Sequence, residues 1–315
     1  MRRVTTRFPT ARLRSRFGER LQLNVPLARY TAARIGGPAD ALLVVEGRDE
    51  LAQAVETLWE LQAPFVILGG GSNVLVSDAG YRGVVVLNRA RAVRFDDQSE
   101  PPMVWAESGA NFGVVARRAA GRGLSGLEWA AGIPGTVGGA VAGNAGAHGG
   151  DVAAALKVAE ILLPDGRREN FGAAQLGFAY RSSALRRGEL SGVVLAAEFV
   201  LQRSTAEQVQ ARLDELVAYR QQTQPPGASM GSMFKNPPGD YAGRLIEAAG
   251  LKGLRRGDAE ISPLHANFFI NHGRATAADV LALIETARRQ VAAQFGVQLE
   301  LEIELLGEFG KAYER

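Results

Sequence analysis

A glycine-rich segment between Gly121 and Asp151 is the part of the chain best suited to bind a ligand through its backbone. It reads GRGLSGLEWAAGIPGTVGGAVAGNAGAHGGD and carries few charged side chains. Glycine lets main-chain N–H groups approach a ligand closely and permits turns at positive φ. A pyrophosphate suits such a surface, because it binds many N–H donors and needs few side chains. A tight set of buried turns would have the same composition, so this segment alone leaves both interpretations open.

Two further glycine-rich loops lie upstream of this segment. Residues 64–78 read PFVILGGGSNVLVSD, and the apolar runs on both sides of Gly69–Asn73 predict a strand–loop–strand unit. Dinucleotide-binding folds instead place their glycine loop between a strand and a helix. The third loop lies in TAARIGGPAD, residues 31–40. Three such loops indicate one extended nucleotide held by loops rather than by a single helix N-terminus.

Short strands are predicted to position these loops. Up to about residue 200 the predicted strands are Ala41–Val45, Phe65–Leu68, Val84–Leu87, Val104–Glu107, Val158–Leu163 and Val193–Val200. Helices are predicted at Asp49–Gln62 and Asn111–Gly121.

The pattern changes after residue 203. Capping-box sequences at Ser204–Glu207 and Thr276–Asp279 predict two long helices, and the alternation in Leu299–Leu306 predicts a strand with one wet face. We therefore predict a domain boundary near residues 201–205.

Composition excludes several classes of function. The chain has 315 residues, no cysteine and three histidines, so a disulfide or a cysteine-ligated metal is excluded and a metal site is improbable. No apolar run approaches the roughly 20 residues of a membrane helix. The literal GxGxxG at Gly121–Gly126 follows a helical pattern instead of a strand, which argues against a Rossmann fold. No P-loop sequence is present.

Residues 1–20 form a basic arm with seven arginines and one glutamate. Such an arm could bind nucleic acid or a membrane surface, but it lacks interleaved aromatic residues, so a solvated or partly ordered arm is expected. A nucleic-acid-binding protein that uses this arm stays open as an alternative class.

The motifs, taken in order, resemble the MurB family of UDP-N-acetylenolpyruvoylglucosamine reductases. Besides the three loops, the resemblance rests on GFAYRSS (177–183), GSMFKNP (231–237), AGRLIEAAGLKG (242–253), HANFFIN (265–271) and the terminal LELEIELLGEF. It covers roughly residues 20 to 309. No tyrosine-bearing insertion is evident between Lys235 and His265, which is similar to the shorter subtype of the family.

The resemblance implies an α+β fold in which an FAD-binding domain of the vanillyl-alcohol-oxidase (PCMH) type precedes a smaller α+β substrate-binding domain. We expect a basic arm at 1–20, the FAD-binding domain at 21–203 and the substrate-binding domain at 204–315. The implied reaction is NADPH-dependent reduction of UDP-N-acetylglucosamine enolpyruvate to UDP-N-acetylmuramate, a peptidoglycan precursor, through non-covalently bound FAD. We expect a cytoplasmic enzyme, preferably monomeric, that binds neither nucleic acid nor membrane. Another FAD-dependent oxidoreductase of this fold, acting on a different carboxylate, is the alternative.

The resemblance also assigns catalytic roles. It implies that Arg181 stabilises the substrate carboxylate, that Ser232 donates a proton, and that Glu302 is a second acid or orients the enol. Arginine suits the first role, because its planar fork binds a carboxylate bidentately and stays charged. The family usually has proline before the glutamate and a basic residue two positions after it, whereas this chain has Leu301 and Glu304. The register among Glu300, Glu302 and Glu304 therefore stays open.

The remaining site residues are also carried over from the resemblance. The FAD contacts are expected at Ile35, Gly36, Gly37, Gly69, Gly70, Gly71, Ser72, Asn73, Gly132, Ile133, Pro134, Gly135, Gly138, Gly139, Asn144, Ala145 and Gly146. Substrate contacts are expected at Tyr180, Lys235 and Asn236, and His265 is expected to serve packing or hydrogen bonding.

Overall fold

The computed structural model describes residues 8–310. The helices in this range are α1 (Thr10–Phe17), α2 (Arg48–Glu60), α3 (Phe112–Ala120), α4 (Val137–Gly143), α5 (Val152–Ala155), α6 (Ala206–Thr223), α7 (Ala242–Ala248) and α8 (Ala277–Phe295). The strands up to residue 107 are β1 (Leu21–Pro26), β2 (Pro38–Val45), β3 (Phe65–Leu68), β4 (Val74–Val76), β5 (Tyr81–Asn88), β6 (Val93–Asp96) and β7 (Met103–Glu107). The next are β8 (Leu124–Ser125), β9 (Gly146–Ala147), β10 (Gly150–Asp151), β11 (Leu156–Leu162), β12 (Arg168–Phe171), β13 (Val193–Val200) and β14 (Gln202–Arg203). The last are β15 (Ala228–Ser232), β16 (Arg255–Arg256), β17 (Ala259–Ile261), β18 (Phe268–Asn271) and β19 (Glu304–Leu306).

Within the described range, the first of two compact units comprises residues 8–23, Asp40–Gly69 and Gly83–Ala218. Its five-stranded antiparallel sheet has the order β12-β11-β13-β7-β6. A second sheet, most of whose residues belong to this unit, has the order β1-β2-β5-β3, with β3 and β5 parallel. Phe112 of α3 packs against Phe199 of β13, with ring centroids 5.1 Å apart, in the core beneath the large glycine-rich segment.

The second unit comprises Asn24–Ala39, Gly70–Arg82 and residues 219–310. Its four-stranded antiparallel sheet has the order β15-β18-β17-β16, and β19 pairs with β4 in parallel. The predicted capping box of α8 is confirmed, since Thr276 and Asp279 make both reciprocal bonds. Asp78 also accepts hydrogen bonds from the N–H groups of Ala277 (2.8 Å) and Ala278 (3.0 Å), which fastens the segment 70–82 to this unit.

The predicted helices and strands of the first 200 residues are present, with ends shifted by a few positions. Two later predictions need correction. Thr205, not Ser204, caps α6, because its hydroxyl accepts from the N–H of Gln208 at 3.2 Å. Of the predicted strand Leu299–Leu306, only Glu304–Leu306 forms one. The preceding residues instead bond to the backbone around Phe234, which faces Leu301 in an isolated bridge.

The compact units differ from the predicted sequential domains. Helix α6 was expected to open the second domain, but its residues Val209 and Leu213 are buried in the core of the first unit. The division therefore falls after Ala218. Two glycine-bearing segments, 24–39 and 70–82, belong to the second unit although they lie early in the chain. A hydrophobic periodicity shows which face of a helix is buried but not which core buries it.

The basic arm, which was expected to be solvated or partly ordered, is ordered in its described part. Residues 10–17 form α1, and Leu13 is completely buried in a core cluster against which Phe8 and Phe17 pack. Residues 1–7 lie outside the described range. Within that range, no helix combines the length and the apolar character that crossing a bilayer requires.

We expect Leu13→Ala to lower the free energy of unfolding by about 2–5 kcal/mol, the usual cost of truncating a fully buried leucine. Urea unfolding followed by circular dichroism measures this loss. The exposed neighbour Arg14 supplies the control, because Arg14→Ala should change stability by no more than about 0.5 kcal/mol. Equal stability of the two variants would show that α1 does not contribute to the core.

Candidate functional site

The first glycine loop has the predicted strand–loop–strand arrangement, since Gly69–Asn73 connects β3 to β4. At its start, a Cβ on Gly69 would lie 2.4 Å from the hydroxyl oxygen of Thr136. Glycine is therefore required there for two loops of the first unit to pack together. The contact brings the start of the GGGSN loop to the GIPGTVGG loop.

The remainder of this loop packs within the second unit. Gly71 has φ +59°, and an added Cβ would lie 2.1 Å from the carbonyl oxygen of Tyr30. Its own carbonyl accepts from the N–H of Ala32 at 2.9 Å. The TAARIGG and GGGSN loops are thus interlocked through their backbones.

Ile35 was expected to contact the cofactor, but the structure makes it a core residue. Its side chain is 3% exposed, and both its N–H and its carbonyl are hydrogen-bonded to the hydroxyl of Thr31. Four glycines that were expected to contact the cofactor pack against other parts of their own unit. An added Cβ would lie 2.1–2.9 Å from the nearest atom, and the four are Gly36, Gly37, Gly138 and Gly146.

Some main-chain donors in these loops have no hydrogen-bond partner among residues 8–310. In the second unit they are the N–H groups of Gly70 and Gly71, and in the first unit those of Gly135 and Thr136. Paired main-chain groups are the rule in folded proteins, so unpaired N–H groups on glycine loops are suited to an anionic ligand. Within its own unit, each of the two donor pairs is therefore suited to the phosphate oxygens of a nucleotide.

Gly139 differs from the neighbouring Gly138. An added Cβ on Gly139 would meet only the Thr136 hydroxyl, at an ordinary 3.6 Å, whereas one on Gly138 would lie 2.9 Å from Cβ of Ser108. Gly139 is also exposed and lies within α4, where alanine is favoured over glycine. Packing inside the protein does not explain this glycine, but close approach of a ligand would.

The segment Asn144–Gly146 is bonded within the protein. Asn144 adopts the left-handed conformation (φ 44°) at the end of α4 and is 5% exposed. Its amide donates to the carbonyl of Ala179 (3.1 Å), and its amide oxygen accepts from the N–H of Ala153 (3.0 Å). The N–H of Ala145 donates to Ala140. The Asn144 side chain is therefore occupied internally instead of facing a cofactor.

Arg181 lies at the tip of a tight turn. Ala179 and Ser182 exchange two backbone hydrogen bonds of 3.0 and 3.1 Å, so Tyr180 and Arg181 are the central residues. Arg181 has φ +53°, a conformation that non-glycine residues adopt at a cost and that is concentrated at functional sites. Its guanidinium carbon lies 5.4 Å from the centroid of the half-exposed Tyr180 ring. The turn thus presents a permanent cation beside an aromatic face.

Ser232 and Glu302 lie close along the backbone of the second unit. Ser232 ends β15 opposite Phe268, after Gly231, and its hydroxyl makes no hydrogen bond to any residue in the described range. The N–H of Glu302 donates to the carbonyl of Met233, the residue that follows Ser232, at 2.9 Å. The carbonyl of Glu302 accepts from the Asn73 amide at 3.2 Å. Glu302 is thereby fixed between the serine strand and the glycine loop.

The neighbouring residues distinguish Glu300 from Glu302. Glu300 is largely exposed and pairs with Lys235 through an Nζ–Oε2 distance of 3.4 Å. The side-chain oxygen of Asn236 accepts from the N–H of Ala242, the first residue of α7, at 3.1 Å. Both expected substrate contacts, Lys235 and Asn236, therefore have partners within their own unit.

His265 is hydrogen-bonded within its own unit. Burial lowers the pKa of His265, and its Nδ1 accepts from the N–H of Asn267 at 3.2 Å, which agrees with the expected hydrogen-bonding role. Across residues 8–310 no cluster of three or more His, Asp or Glu side chains is arranged to bind a metal.

Ser183 is a residue that the sequence did not single out. It is fully buried, and its hydroxyl donates to the carbonyl of Ala142 at 2.6 Å. Its position in the YRSS sequence, two residues after Arg181, was the available signal. The structural use of the Asn73 and Asn144 side chains was equally hidden, because their partners are distant in sequence.

Two family models match parts of the chain. Residues 39–172 match the family model of an FAD-binding domain, and residues 221–306 match that of the C-terminal domain of UDP-N-acetylenolpyruvoylglucosamine reductase. The chain is therefore an FAD-binding flavoprotein, and the predicted α+β fold class is confirmed.

Its relatives define the family more closely. The UDP-N-acetylenolpyruvoylglucosamine reductase of Chloroflexus aggregans is 46% identical over 91% of this chain and 97% of its own length. That of Rubrobacter xylanophilus is 48% identical over 90% and 94%. The crystal structure of the MurB enzyme from Thermus caldophilus superposes with a TM-score of 0.77, at 40% identity over 91% of this chain and 99% of that one. The chain belongs to the UDP-N-acetylenolpyruvoylglucosamine reductase family.

Proposed function

We propose that this chain reduces UDP-N-acetylglucosamine enolpyruvate to UDP-N-acetylmuramate at the expense of NADPH, as a step in peptidoglycan precursor synthesis. FAD, when bound, would supply the hydride chemistry that links NADPH to the enolpyruvyl double bond. The observation that best supports this substrate is the Arg181 turn, whose strained conformation and aromatic neighbour hold a permanent cation at a defined position. The cytoplasmic location and the absence of nucleic-acid and membrane partners stay predictions of the sequence.

The residues present fit a flavin nucleotide. The unpaired N–H groups of Gly70 and Gly71, and those of Gly135 and Thr136, would bind phosphate oxygens. Gly139 leaves space on α4, close to Thr136 of the same unit. The other expected contacts that stay in this proposal are Gly36, Gly37, Gly69, Ser72, Gly132, Ile133, Pro134, Gly138, Ala145 and Gly146. The structure gives Ile35 and the side chains of Asn73 and Asn144 internal partners, so they are left out.

The chain's own residues would supply binding and proton transfer. Hydride addition places negative charge next to the substrate carboxylate, and the Arg181 guanidinium would bind that carboxylate with two parallel hydrogen bonds. The Ser232 hydroxyl would donate the proton that completes the reduction, and no partner among residues 8–310 competes for it. Glu302, with its backbone fixed next to Met233, is the carboxylate that would assist this transfer.

The function is tested by separating its two half-reactions under anaerobic conditions. NADPH should bleach the flavin absorbance, and UDP-N-acetylglucosamine enolpyruvate should restore it with formation of UDP-N-acetylmuramate. Failure of this substrate to reoxidise the flavin, with rapid reoxidation by another unsaturated carboxylate, would favour the alternative oxidoreductase.

The FAD site is tested by Gly139→Ala. Alanine in α4 should leave the FAD-free protein as stable or up to about 1 kcal/mol more stable. If a phosphate approaches this position, the added methyl group should weaken FAD binding by roughly 1–3 kcal/mol, or about 5- to 150-fold. Titration of FAD-free protein with FAD measures the dissociation constant.

Gly143 gives the matched control in the same helix, because an added Cβ would meet only a terminal nitrogen of Arg186 at 3.6 Å. Gly143→Ala should bind FAD like the unmodified protein. Equal FAD affinity of the two alanine variants would remove Gly139 from the site. Gly135 is less suitable for this test, since its φ of +129° would strain any replacement.

A further inference from the structure

We propose that Asn144 and Ser183 are positioning residues that fasten the Arg181 turn to the C-terminal end of α4, and thereby set where the guanidinium meets the substrate carboxylate. The inference rests on the proposed function. Both residues act through Arg181, and neither is expected to touch the substrate.

Asn144 links the C-terminal end of α4 to the first residue of the Arg181 turn. It follows α4 directly, and its amide donates to the carbonyl of Ala179, the residue at the base of the turn, at 3.1 Å. The amide oxygen is held in place by the N–H of Ala153 at 3.0 Å, and the same amide nitrogen lies 3.5 Å from a carboxylate oxygen of Asp151. Because every polar atom of this buried side chain is used, its orientation is fixed.

Ser183 fastens the opposite side of the turn. Its fully buried hydroxyl donates to the carbonyl of Ala142, in the last turn of α4, at 2.6 Å. The same oxygen accepts from the N–H of Arg186 at 3.3 Å, and the guanidinium of Arg186 donates to the carbonyl of Arg181 at 3.2 Å. The chain is thus held two residues before and two residues after Arg181.

Arg181 is the residue of this turn whose backbone conformation needs stabilisation by its surroundings. A non-glycine residue at φ +53° persists only where the surrounding structure determines its conformation. Bonds from Asn144 and Ser183 tie this turn to α4, the helix that follows the GIPGT loop. Loss of either bond should let the turn relax and move the guanidinium, while the GIPGT loop itself stays in place.

The test uses the FAD-loaded protein with Ser183→Ala and with Asn144→Gly. Glycine adopts the left-handed conformation of Asn144 without strain, so that variant removes only the side chain. The dissociation constant of UDP-N-acetylglucosamine enolpyruvate, measured by calorimetry on the oxidised protein, should rise, and flavin reoxidation by this substrate should slow by roughly 10- to 100-fold. FAD content and the rate of flavin reduction by NADPH should stay within about twofold of the unmodified protein.

Asn24→Gly is the matched control, because Asn24 has the same left-handed conformation (φ 52°) and is exposed. It should change none of these quantities. Equal loss of FAD content and of both half-reactions in Ser183→Ala and Asn144→Gly would mean a general structural role and would overturn the inference.

A double-mutant cycle tests whether Ser183 and Asn144 affect the reaction through Arg181. If Ser183 and Asn144 act through Arg181, adding either substitution to Arg181→Ala should change the reoxidation rate by no more than about twofold. Fully additive losses would overturn the inference. Failure of the proposed function would be seen separately, because the unmodified enzyme would then not be reoxidised by this substrate.

Discussion

Arg181→Lys is expected to slow flavin reoxidation by UDP-N-acetylglucosamine enolpyruvate by about 10- to 150-fold, and Arg181→Ala by more. Lysine keeps the charge and, like arginine, can lie near the Tyr180 ring, but it cannot make two parallel hydrogen bonds to a carboxylate. The loss of one charge-assisted hydrogen bond costs roughly 1.5–3 kcal/mol, which corresponds to that range of rates. Stopped-flow absorbance of the flavin measures the effect.

The backbone does not complicate this comparison. Arginine and lysine both have a Cβ and are expected to bear a similar cost at φ +53°, so the turn should be equally stable in the two proteins. Flavin reduction by NADPH should not change. Arg167→Lys on an exposed hairpin is the control for the substitution itself and should leave both half-reactions unaffected. A reoxidation rate for Arg181→Lys equal to that of the unmodified enzyme would show that Arg181 does not bind the carboxylate.

Ser232→Ala is expected to separate the half-reactions more sharply. NADPH should bleach the flavin at the normal rate, because that step does not need the proton from Ser232. Reoxidation should slow by at least about 10²- to 10⁴-fold, the usual contribution of a general acid. The variant should fold normally, since the hydroxyl has no hydrogen-bond partner in the described part of the chain. The same stopped-flow measurement gives both rates.

Two further variants sharpen the interpretation. Ser232→Cys should recover part of the rate, because a thiol can also release a proton. Ser229→Ala, three residues earlier on β15, changes the same kind of side chain without touching the proposed acid and should react normally. A Ser232→Ala enzyme that reoxidises at the normal rate would make Ser232 an ordinary strand-end residue. Slowing of both half-reactions would point to a general disturbance around residue 232.

The local sequence determined the elements and the chemistry. The strand–loop–strand unit at Gly69–Asn73, the helix after Asn111 and the capping box at Thr276 follow from apolar periodicity and cap residues, which depend on neighbours within a few positions. The motifs around Arg181 and Ser232 likewise identified the family without any structure. Residue types and short spacings carry this information directly.

Packing between residues distant in sequence decided which core each element joins, which the local patterns could not predict. Only the tertiary structure shows that Val209 and Leu213 belong to the core of the first unit, that Ile35 is a core residue, and that Leu13 is buried beneath an arginine-rich surface. It also shows that the C-terminal glutamates differ in their surroundings, because Glu300 pairs with Lys235 whereas the backbone of Glu302 is bonded next to Ser232. The catalytic role of Glu302 stays a prediction. The bond from Asn144 to Ala179 spans 35 residues. Such contacts are set by which surfaces the folded chain brings together, and no pattern of a few neighbouring residues contains that information.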